Sequence, residues 1–523
     1  MSFSSGSLKC DAMLLLISAI TLFYLYLKRN YSYWDRKGFK THPGAIFILG
    51  HSKSNFMGKE QIGCLTRKIY NKTSEAFIGF YILLRPVLLL RDPDLIRTIL
   101  IKDFSHFPDR GLYCNEKDDP LTGNLVALPG QKWRNLRAKL TPTFTSGKLK
   151  AMFSTLVECG STLQDYLEKL ADKKELLDVR EIAASHTTNV IASVGFGIEI
   201  DTITNPDNEF RKYGRKIFSS TLKSSLRRSM AFGAPKIMKF FRIKSVDSDV
   251  ERFIMSVVRE NLEYREKNNV VRRDFFQLLI DLRNTGTVEL DDHWDSNVET
   301  KSIQNQELLT LNEIGAQSFI FFAAGFETSS STLSFCLYEL AKNQKIQNRV
   351  YDEINRVLDG HGGKITYDAV SEMKYLEHCI DETLRKYPIA TNLVRICMEN
   401  YKIPGSNRTI EKGVEVIIPI LALHRDEKYY ENPNKFDPDR FNEENLAGKN
   451  QSNRPYYPFG DGPRNCIGMR LGKMQTKVGL VMMLQQFRYD LENELERTRE
   501  MEFEPRSNLL APRGGIRLYV FKR

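Results

Sequence analysis

The chain has 523 residues, of which 41% are hydrophobic and 27% are charged, an ordinary globular composition with enough apolar residues for a large core. Its eight cysteines include no Cys-x-x-Cys pair and its eight histidines show no metal-ligand spacing, which argues against a zinc site or a disulfide framework. The formal net charge of +11 suits an anionic membrane face or an acidic protein partner, whereas nucleic-acid binding is disfavoured because no nucleic-acid motif accompanies the charge.

The N-terminus carries a nearly continuous apolar run from Ala12 to Leu27. As a helix it would extend about 24 Å, slightly less than the thin reticulum bilayer of about 27 Å. Only Lys9 precedes it, and five basic residues follow, at Lys28, Arg29, Arg36, Lys37 and Lys40. The positive-inside rule therefore predicts a retained anchor over 1–30 and a cytosolic domain over 31–523. The alternative, a cleaved signal peptide, has its basic residues on the other side of the apolar run.

Hydrophobic periodicity then predicts the main elements in chain order. Strands are expected over 77–83 and 87–90, around Arg85-Pro86, and Asp92-Pro93 should open a helix. The further predictions are helices over 149–170, 180–195, 210–222, 250–267, 313–340 and 469–485, and a strand over 414–421. The acidic stretch 289–299 reads as a mobile loop. The fold class is therefore mainly α with a small β portion, a single large domain behind its anchor.

The helix predicted over 313–340 is too polar for a membrane span and is expected to be a buried central helix. It contains the run Ala324-Gly325-Phe326-Glu327-Thr328-Ser329. The two small residues would let a large flat cofactor and a diatomic ligand approach one face. Thr328 can bond a carbonyl in the preceding turn and bend the helix. Taken alone, the run could equally be a chance feature of a core helix.

Two residue pairs at helical spacing place polar groups on one helix face. Trp133 and Arg137 lie one turn apart, so both could hydrogen-bond a carboxylate. Glu382 and Arg385 are three residues apart, and such a pair is commonly a surface ion pair of little energetic value.

The turn from Phe459 to Gly468 places Cys466 two residues after Arg464 in a glycine-rich sequence, just before a predicted helix. A helix N-terminus favours the thiolate form of a cysteine, and a thiolate is a strong axial ligand for haem iron. Glycines such as Gly460 allow the backbone to lie close to a flat macrocycle, and Arg464 can reach a haem propionate. The alternative is a buried free cysteine in a turn.

This turn resembles the haem-binding loop of the cytochrome P-450 monooxygenases, whose pattern Phe-x-x-Gly-x-Arg-x-Cys-x-Gly is met at every fixed position. The run around Thr328 resembles the oxygen-activating motif of that family, and the Glu382 and Trp133 pairs resemble its Glu-x-x-Arg and Trp-x-x-x-Arg. Stretches 109–113, 128–133 and 141–147 resemble the insect microsomal members that metabolise foreign compounds. The resemblance covers essentially the whole chain after the anchor and implies the cytochrome P-450 fold.

The resemblance also implies a role for each candidate residue. Cys466 would be the metal ligand, holding the iron of haem b through its thiolate. The other implied cofactor-binding residues are Arg464, Trp133, Arg137, Arg395, Phe459, Gly460, Gly468 and Ala324. The implied catalytic residues are Thr328, which would support oxygen activation, and Glu327, which would help to deliver protons. Arg440 would join Glu382 and Arg385 in a structural triad of the haem-bearing core.

The implied reaction inserts one oxygen atom of O₂ into a lipophilic small molecule, either a foreign compound such as an insecticide or plant toxin, or an endogenous lipid or hormone. The chain has no dinucleotide- or flavin-binding signature, so a partner must supply the electrons. The resemblance implies NADPH–cytochrome P-450 reductase, with cytochrome b5 as an optional second donor, at the endoplasmic reticulum membrane. Two alternatives stay open: a haem-thiolate isomerase or dehydratase, which the intact Glu327-Thr328 pair disfavours, and a non-enzymatic gas sensor or haem carrier.

Three further sets of residues concern the substrate pocket and the surface. The family positions of the pocket correspond to residues that could equally belong to the core: Phe107, Leu121, Phe319, Phe322, Ala323, Ile389, Leu393, Leu509 and Leu510. A second, shallow membrane contact is expected where Phe232, Ile237, Met238, Phe240 and Phe241 alternate with Lys236, Lys239, Arg242 and Lys244; an inward-packed helix connection is the alternative. A reductase docking patch is expected at Lys139, Lys148, Lys150, Arg454, Arg470 and Lys473.

Overall fold

The computed structural model describes residues 5–219, 221–286, 308–446 and 454–523. Its α-helices are α1 Ser5–Tyr31, α2 Tyr33–Arg36, α3 Lys53–Phe56, α4 Ile62–Asn71, α5 Pro93–Arg97, α6 Gly130–Leu140, α7 Ser146–Glu158, α8 Ser161–Lys173, α9 Val179–Ile191, α10 Glu209–Ile217, α11 Leu222–Gly233, α12 Pro235–Phe240, α13 Ser248–Asn268, α14 Phe275–Asn284, α15 Leu311–Lys342, α16 Gln344–Gly360, α17 Tyr367–Glu372, α18 Lys374–Lys386, α19 Ile420–Leu423, α20 Glu443–Leu446, α21 Met469–Leu484 and α22 Leu495–Thr498. The acidic stretch 289–299 lies outside the described residues.

The strands are short and form small sheets at the side of the helices. They are β1 Phe77–Ile82, β2 Arg85–Leu90, β3 Leu176–Asp178, β4 Leu393–Ile396, β5 Tyr401–Lys402, β6 Thr409–Ile410, β7 Glu415–Ile418, β8 Phe487–Leu491 and β9 Arg517–Lys522. The largest described sheet has the order β1-β2-β7-β4, in which only β2 and β7 run parallel. The predicted fold class, mainly α with a small β portion, is confirmed.

Helix α15 is the centre of the molecule. Thr310 and Glu313 form a reciprocal capping box at its start, which satisfies backbone donors that a helix otherwise leaves unpaired. The helix packs against α9 and α21, and nearly every side chain from Ser329 to Ala341 is buried. The prediction of a buried central helix over 313–340 is therefore confirmed.

Helix α1 differs from α15 because its apolar side chains are exposed along most of its length. Among the described residues, its segment Cys10–Tyr31 is the one helix long and apolar enough to cross a membrane. This agrees with an N-terminal anchor, since leaving such a surface in water would be costly.

Several element boundaries differ from the prediction. The helix predicted over 149–170 is broken into α7 and α8 near Gly160, where an added Cβ would lie 1.6 Å from Met482 Sδ. The helix predicted over 210–222 ends at Ile217, and Thr221 caps a separate helix, α11. The strand predicted over 414–421 stops at Ile418 because Pro419 cannot donate to the sheet. The first hairpin turns at residues 83–84, so Arg85 and Pro86 lie inside β2.

Candidate active site

A cavity of about 1020 Å³ lies between the cysteine-containing turn, α6, α15 and the pair of helices α10 and α11. We call α10 and α11 the roof of the cavity. All predicted cofactor-binding residues line it, as does the predicted catalytic Thr328. These residues are Cys466, Arg464, Trp133, Arg137, Arg395, Phe459, Gly460, Gly468, Ala324 and Thr328. Glu327, the other predicted catalytic residue, does not line the cavity.

Backbone hydrogen bonds and glycine conformations set the shape of the turn. The N–H of Cys466 donates to the carbonyl of Phe459 at 2.8 Å. Gly460 and Gly462 have φ of +73° and +68°, in the region that side chains disfavour. At Gly462 an added Cβ would also lie 2.0 Å from the Leu100 carbonyl oxygen, so only glycine fits there. Gly462 belongs to the sequence pattern, but its contact is with the chain's own backbone.

Cys466 lines the cavity and is exposed to it. Burial raises the pKa of Cys466, and the Gly468 N–H and the guanidiniums of Arg137 and Arg110 oppose that rise. Helix α21 begins at Met469, as predicted, so Cys466 lies three residues before the helix that follows it. The groups that favour a thiolate are the backbone N–H of Gly468, the N-cap residue of α21, and the two guanidiniums.

Four guanidinium groups line this part of the cavity, and we call Arg110, Arg137, Arg395 and Arg464 the arginine cluster. Burial, together with Arg110 and Arg464, lowers the pKa of Arg395 to about 9. Burial also lowers the pKa of Arg464 to about 9, although Asp109 opposes the shift. Among the described residues, Asp109 is the one carboxylate paired with the cluster, 3.1 Å from Arg464 Nη2. The cluster therefore carries positive charge that the described residues do not neutralise.

Two donors of the cluster have no hydrogen-bond partner among the described residues, Arg464 Nη1 and Arg395 Nε, although both atoms are buried. Such donors cost free energy unless a ligand satisfies them. The ring of Trp133 lies against Arg464, 3.9 Å from the guanidinium carbon. A haem with two propionates would supply the missing acceptors and negative charge, and Cys466 would face its iron. The residues present thus fit haem.

Arg110 was not among the predicted site residues. Its side chain donates to the carbonyls of Val126 at 3.0 Å and of Arg464 at 2.9 Å. Arg137 likewise bonds the carbonyl and the side-chain oxygen of Asn465, both at 2.9 Å. These two arginines therefore hold the two residues that precede the cysteine, Arg464 and Asn465. In the sequence, Arg110 was noticed only as part of the stretch 109–113, and nothing in that stretch indicated which residues it would contact.

The α15 wall of the cavity is shaped by side-chain bonds to the helix backbone. The Thr328 hydroxyl donates to the Ala324 carbonyl at 2.7 Å, which confirms the predicted bond to the preceding turn. Ala324 is exposed to the cavity. Gly325 is small for another reason, because an added Cβ would lie 2.5 Å from Ile191 Cδ1 of α9. Of the two small residues, Ala324 therefore mainly opens the cavity wall, whereas Gly325 allows α15 to pack closely against α9.

Glu327 points away from the cavity and is buried at the interface of α15 with α9. Its Oε1 accepts a hydrogen bond at 3.0 Å from Nη2 of Arg180, whose side chain is partly exposed. Burial raises the pKa of Glu327, and Arg180 opposes the rise. The sequence did not identify Arg180 as its partner because the two residues are far apart in the chain. The pair links the interior of α15 to solvent.

The three residues of the predicted structural triad lie together, and two of them, Glu382 and Arg385, are fully buried. Both oxygens of Glu382 accept hydrogen bonds from Arg385, at 2.6 and 2.8 Å, with both side chains fully buried. Arg440 Nε lies 3.4 Å from Glu382 Oε1. A second carboxylate, Asp381 on the same helix, accepts from Tyr456 at 3.0 Å and pairs with Lys473 at 2.8 Å. Because Tyr456 and Lys473 flank the cysteine turn, α18 holds the turn from both ends.

The predicted substrate pocket is only partly correct. The cavity is lined by Leu121, Phe319, Ile389, Leu393 and Leu509. Four predicted residues do not line it because they pack into the core instead: Phe107, Phe322, Ala323 and Leu510. Their burial could not be distinguished from pocket lining by sequence, since both environments are apolar.

The predicted second membrane contact also needs one correction. Ile237, Phe240 and Phe241 are exposed, whereas Met238 is fully buried. Phe232 is partly buried. It packs against the hydrophobic core around β1, β2 and β7, and the guanidinium of Arg85 lies over its ring. The exposed apolar residues therefore lie at the end of α12 and just after it.

Two members of the predicted docking patch are engaged inside the protein. Lys473 pairs with Asp381 and with Glu377, and Arg454 has buried guanidinium atoms beside Tyr430. Arg470 is exposed and bonds Ser146 Oγ at 2.9 Å. Lys150 is exposed, 3.6 Å from Asp368. The accessible part of the patch thus includes Lys150 and Arg470.

Comparison with known proteins identifies relatives along nearly the entire chain. The family profile described as Cytochrome P450 matches residues 42–518. The chain is 40% identical over 504 residues to the probable cytochrome P450 6d5 of Drosophila melanogaster, covering 96% of the chain and 97% of the relative. It is 41% identical over 515 residues to cytochrome P450 6a2 of the same species, covering 97% and 98%. Cytochrome P450 6k1 of Blattella germanica is 38% identical over 520 residues, covering 99% and 98%.

Proposed function

The chain belongs to the cytochrome P450 family, and from that membership we propose that it is an NADPH-dependent monooxygenase of lipophilic small molecules, anchored to the endoplasmic reticulum with its catalytic domain over 31–523 in the cytosol. Membership makes the chain a haem-thiolate oxidoreductase that uses O₂, a small-molecule substrate and a redox partner. The observation that carries the residue assignments is that Cys466, Thr328 and the arginine cluster line one cavity.

In this proposal Cys466 holds the iron through its thiolate. Arg464, Arg395, Arg137 and Trp133 hold the propionates, with Arg110 added to the predicted set. The bound haem supplies the oxygen-activating and electron-accepting chemistry. The unpartnered atoms Arg464 Nη1 and Arg395 Nε support these roles, since an anionic group would satisfy both.

Thr328 and Glu327 divide the handling of protons between them. The Thr328 hydroxyl lines the cavity, and its bond to the Ala324 carbonyl orients it there. Glu327 sits one residue earlier, with its raised pKa and its bond to the partly exposed Arg180. A carboxyl group with a raised pKa exchanges protons more readily near neutral pH than an ordinary one does. We assign Glu327 and Arg180 to the supply of protons from solvent, and Thr328 to their delivery inside the cavity.

The substrate class and the electron donors follow from the apolar lining and from the relatives. Phe319, Leu509 and Ile389 select by size and apolar shape. The relatives are insect proteins of similar length, so we propose foreign compounds such as insecticides or plant toxins as substrates, with endogenous lipids or hormones as the alternative. NADPH–cytochrome P450 reductase is the proposed donor, with cytochrome b5 as an optional second one.

The test uses the full-length protein in reductase-containing membranes with NADPH, O₂ and lipophilic probe compounds. The wild type should give hydroxylated product and the reduced-CO spectrum of a thiolate-ligated haem. Cys466→Ser should lose both, because a hydroxyl cannot supply the electron donation of a thiolate, while Cys397→Ser, which alters a buried cysteine outside the cavity, should keep both. Isomerisation or dehydration without NADPH would instead favour the first alternative function, and haem binding without any turnover would favour the second.

A further inference from the structure

The cavity has a second polar region, formed by the roof helix α11 and the late turn 505–509. Ser225, Arg228, Ser229 and Phe232 line the cavity and lie at helical spacings of three and four residues, so they share one face of α11. Leu222 and Leu226 lie on another face and are 70% and 52% exposed. One helix thus presents a basic and hydroxyl-bearing face to the cavity and an apolar face outward.

Arg228 is held by hydrogen bonds to two carbonyls and a hydroxyl, and by no carboxylate among the described residues. Its Nη1 donates to the Ser219 carbonyl at 3.1 Å, and its Nη2 donates to Ser225 Oγ at 3.2 Å and to the Arg506 carbonyl at 3.0 Å. Burial lowers the pKa of Arg228, and the neighbouring Arg227 lowers it further. These acceptors orient the guanidinium and bridge the roof to the late turn, but they do not neutralise its charge.

The other charged residues that line this part of the cavity, Lys216, Arg227, Asp247 and Glu415, are already paired. Asp247 is 2.7 Å from Arg227, and Glu415 is 3.1 Å from Arg85. Lys216, which also lines the cavity, pairs with Asp249 of α13.

Two arginines of this region, Arg228 and Arg506, take part in none of these ion pairs. Within the ranges that the structure describes, neither guanidinium has an ion-pair partner, although both residues line the cavity. The Arg506 side chain lies against Gly58, where an added Cβ would be 2.6 Å from its Nε. Among the described residues this part of the wall therefore carries two guanidiniums without an ion pair, and the neighbouring Glu504 accepts from the backbone N–H of Arg506, at 3.4 Å.

We propose that Arg228 and Arg506 form a subsite for the carboxylate of lipophilic acids, so that long-chain carboxylic acids are a preferred substrate class of the proposed monooxygenase. This inference rests on the proposed function. The acid head is held by charge-assisted hydrogen bonds at the roof, and the alkyl chain extends into the apolar part of the cavity at Phe319 and Leu509.

The outer surface near this subsite suits ligands that arrive from a bilayer. Besides Leu222 and Leu226 on α11, Phe56 lines the same cavity and is partly exposed. A lipophilic acid in a membrane keeps its carboxylate at the interface, and an exposed apolar rim with an inward arginine matches that orientation.

Binding is measured on full-length protein by displacement of a fluorescent long-chain fatty acid, with dodecanoic acid and methyl dodecanoate as competitors. Arg228→Gln should weaken the binding of dodecanoic acid by about tenfold, the usual order for losing one charge-assisted bond. The affinity for the ester should be unchanged. Arg228→Lys, which keeps the charge, should bind the acid more tightly than Arg228→Gln. The matched control is Arg252→Gln, since Arg252 is exposed on α13 and does not line the cavity.

The comparison of acid and ester separates recognition from folding. Equal loss of both ligands in Arg228→Gln, or no loss of the acid in the Arg228→Gln, Arg506→Gln double variant, overturns the subsite. Displacement of the probe by anionic phospholipid vesicles as effectively as by dodecanoate also overturns it, because the arginines would then bind a headgroup. Acid selectivity without NADPH-dependent oxygenation of either competitor would refute the proposed monooxygenase while leaving the subsite intact.

Discussion

The guanidinium carbon of Arg464 lies 3.9 Å from the centroid of the Trp133 ring. This contact holds the arginine by cation–π attraction while its Nη1 keeps no hydrogen-bond partner among the described residues. Asp109 and the Pro108 and Leu128 carbonyls occupy the other donors. The cysteine turn is thereby joined to α6, and one donor is left for an anionic ligand.

Arg464→Gln should weaken haem retention. Loss of the charge removes a propionate partner, so transfer of haem to a scavenger protein should become faster by about tenfold or more. The control is Arg349→Gln, because Arg349 also lies over an aromatic ring, that of Tyr375 at 3.7 Å, but is exposed and outside the cavity. Equal haem transfer rates for the two variants would contradict the role of Arg464.

Thr328→Ala should keep haem bound but waste electrons as peroxide or water. The hydroxyl is lost from the cavity while the helix backbone remains, so the product formed per NADPH should fall by about tenfold or more. Ser334→Ala is the matched control, since Ser334 makes the same type of bond, to the Ser330 carbonyl at 2.7 Å, outside the cavity. If Thr328→Ala formed as much product per NADPH as the wild type, the proposed role of Thr328 would be wrong.

Lys150→Glu combined with Arg470→Glu should raise the apparent KM for the reductase. Both residues are exposed and belong to the segments around the cysteine turn and α7. Charge reversal slows steered association with an acidic partner and flattens its salt dependence. Turnover driven by peroxide should be spared. The control with the same charge change is Arg259→Glu with Lys267→Glu on α13, and a similar KM rise in it would show that the effect is not local.

Protein lacking residues 1–30 should still bind phospholipid vesicles weakly through the end of α12. Phe240→Ser should reduce this residual binding by about tenfold, the order expected for one buried phenyl ring. Leu495→Ser is the control because Leu495 and Phe240 are both 80% exposed, while Leu495 lies on α22. The second membrane contact would be excluded if both variants reduced vesicle binding equally. It would also be excluded if the truncated protein did not bind vesicles at all.

Glu415 should make stability depend on pH. Burial raises its pKa from 4.5 to about 7, with Arg85 opposing. The folded state therefore retains a proton that the unfolded state releases, so the stability contributed by this proton is complete below about pH 4.5 and declines as pH rises to about 7. Relative to Glu415→Gln, the wild type should lose at most about 3 kcal/mol over this window. Unfolding by denaturant at several pH values measures the difference, and a difference that rises with pH would contradict the shift.

Sequence patterns predicted the elements whose residues carry local information. The Asp92-Pro93 helix start and the positive φ of Gly460 in the cysteine turn depend on residues within a few positions of themselves. Their outcome was therefore readable before any tertiary contact was known. The close contact between Gly160 and Met482 was not readable, because the two residues are more than three hundred positions apart in the chain.

Sequence by itself determined the cysteine turn, the long central helix, the N-terminal apolar segment and the family to which they belong. Their chemistry depends on residue type at short spacing, which a single chain displays directly. Tertiary structure alone decided which charges are neutralised: it paired Glu327 with Arg180 and engaged Lys473 with Asp381. It also left Arg228 without a carboxylate and directed Phe107 into the core instead of the cavity. Burial and pairing depend on which distant segments meet, and the spacing of residues along the chain does not contain that information.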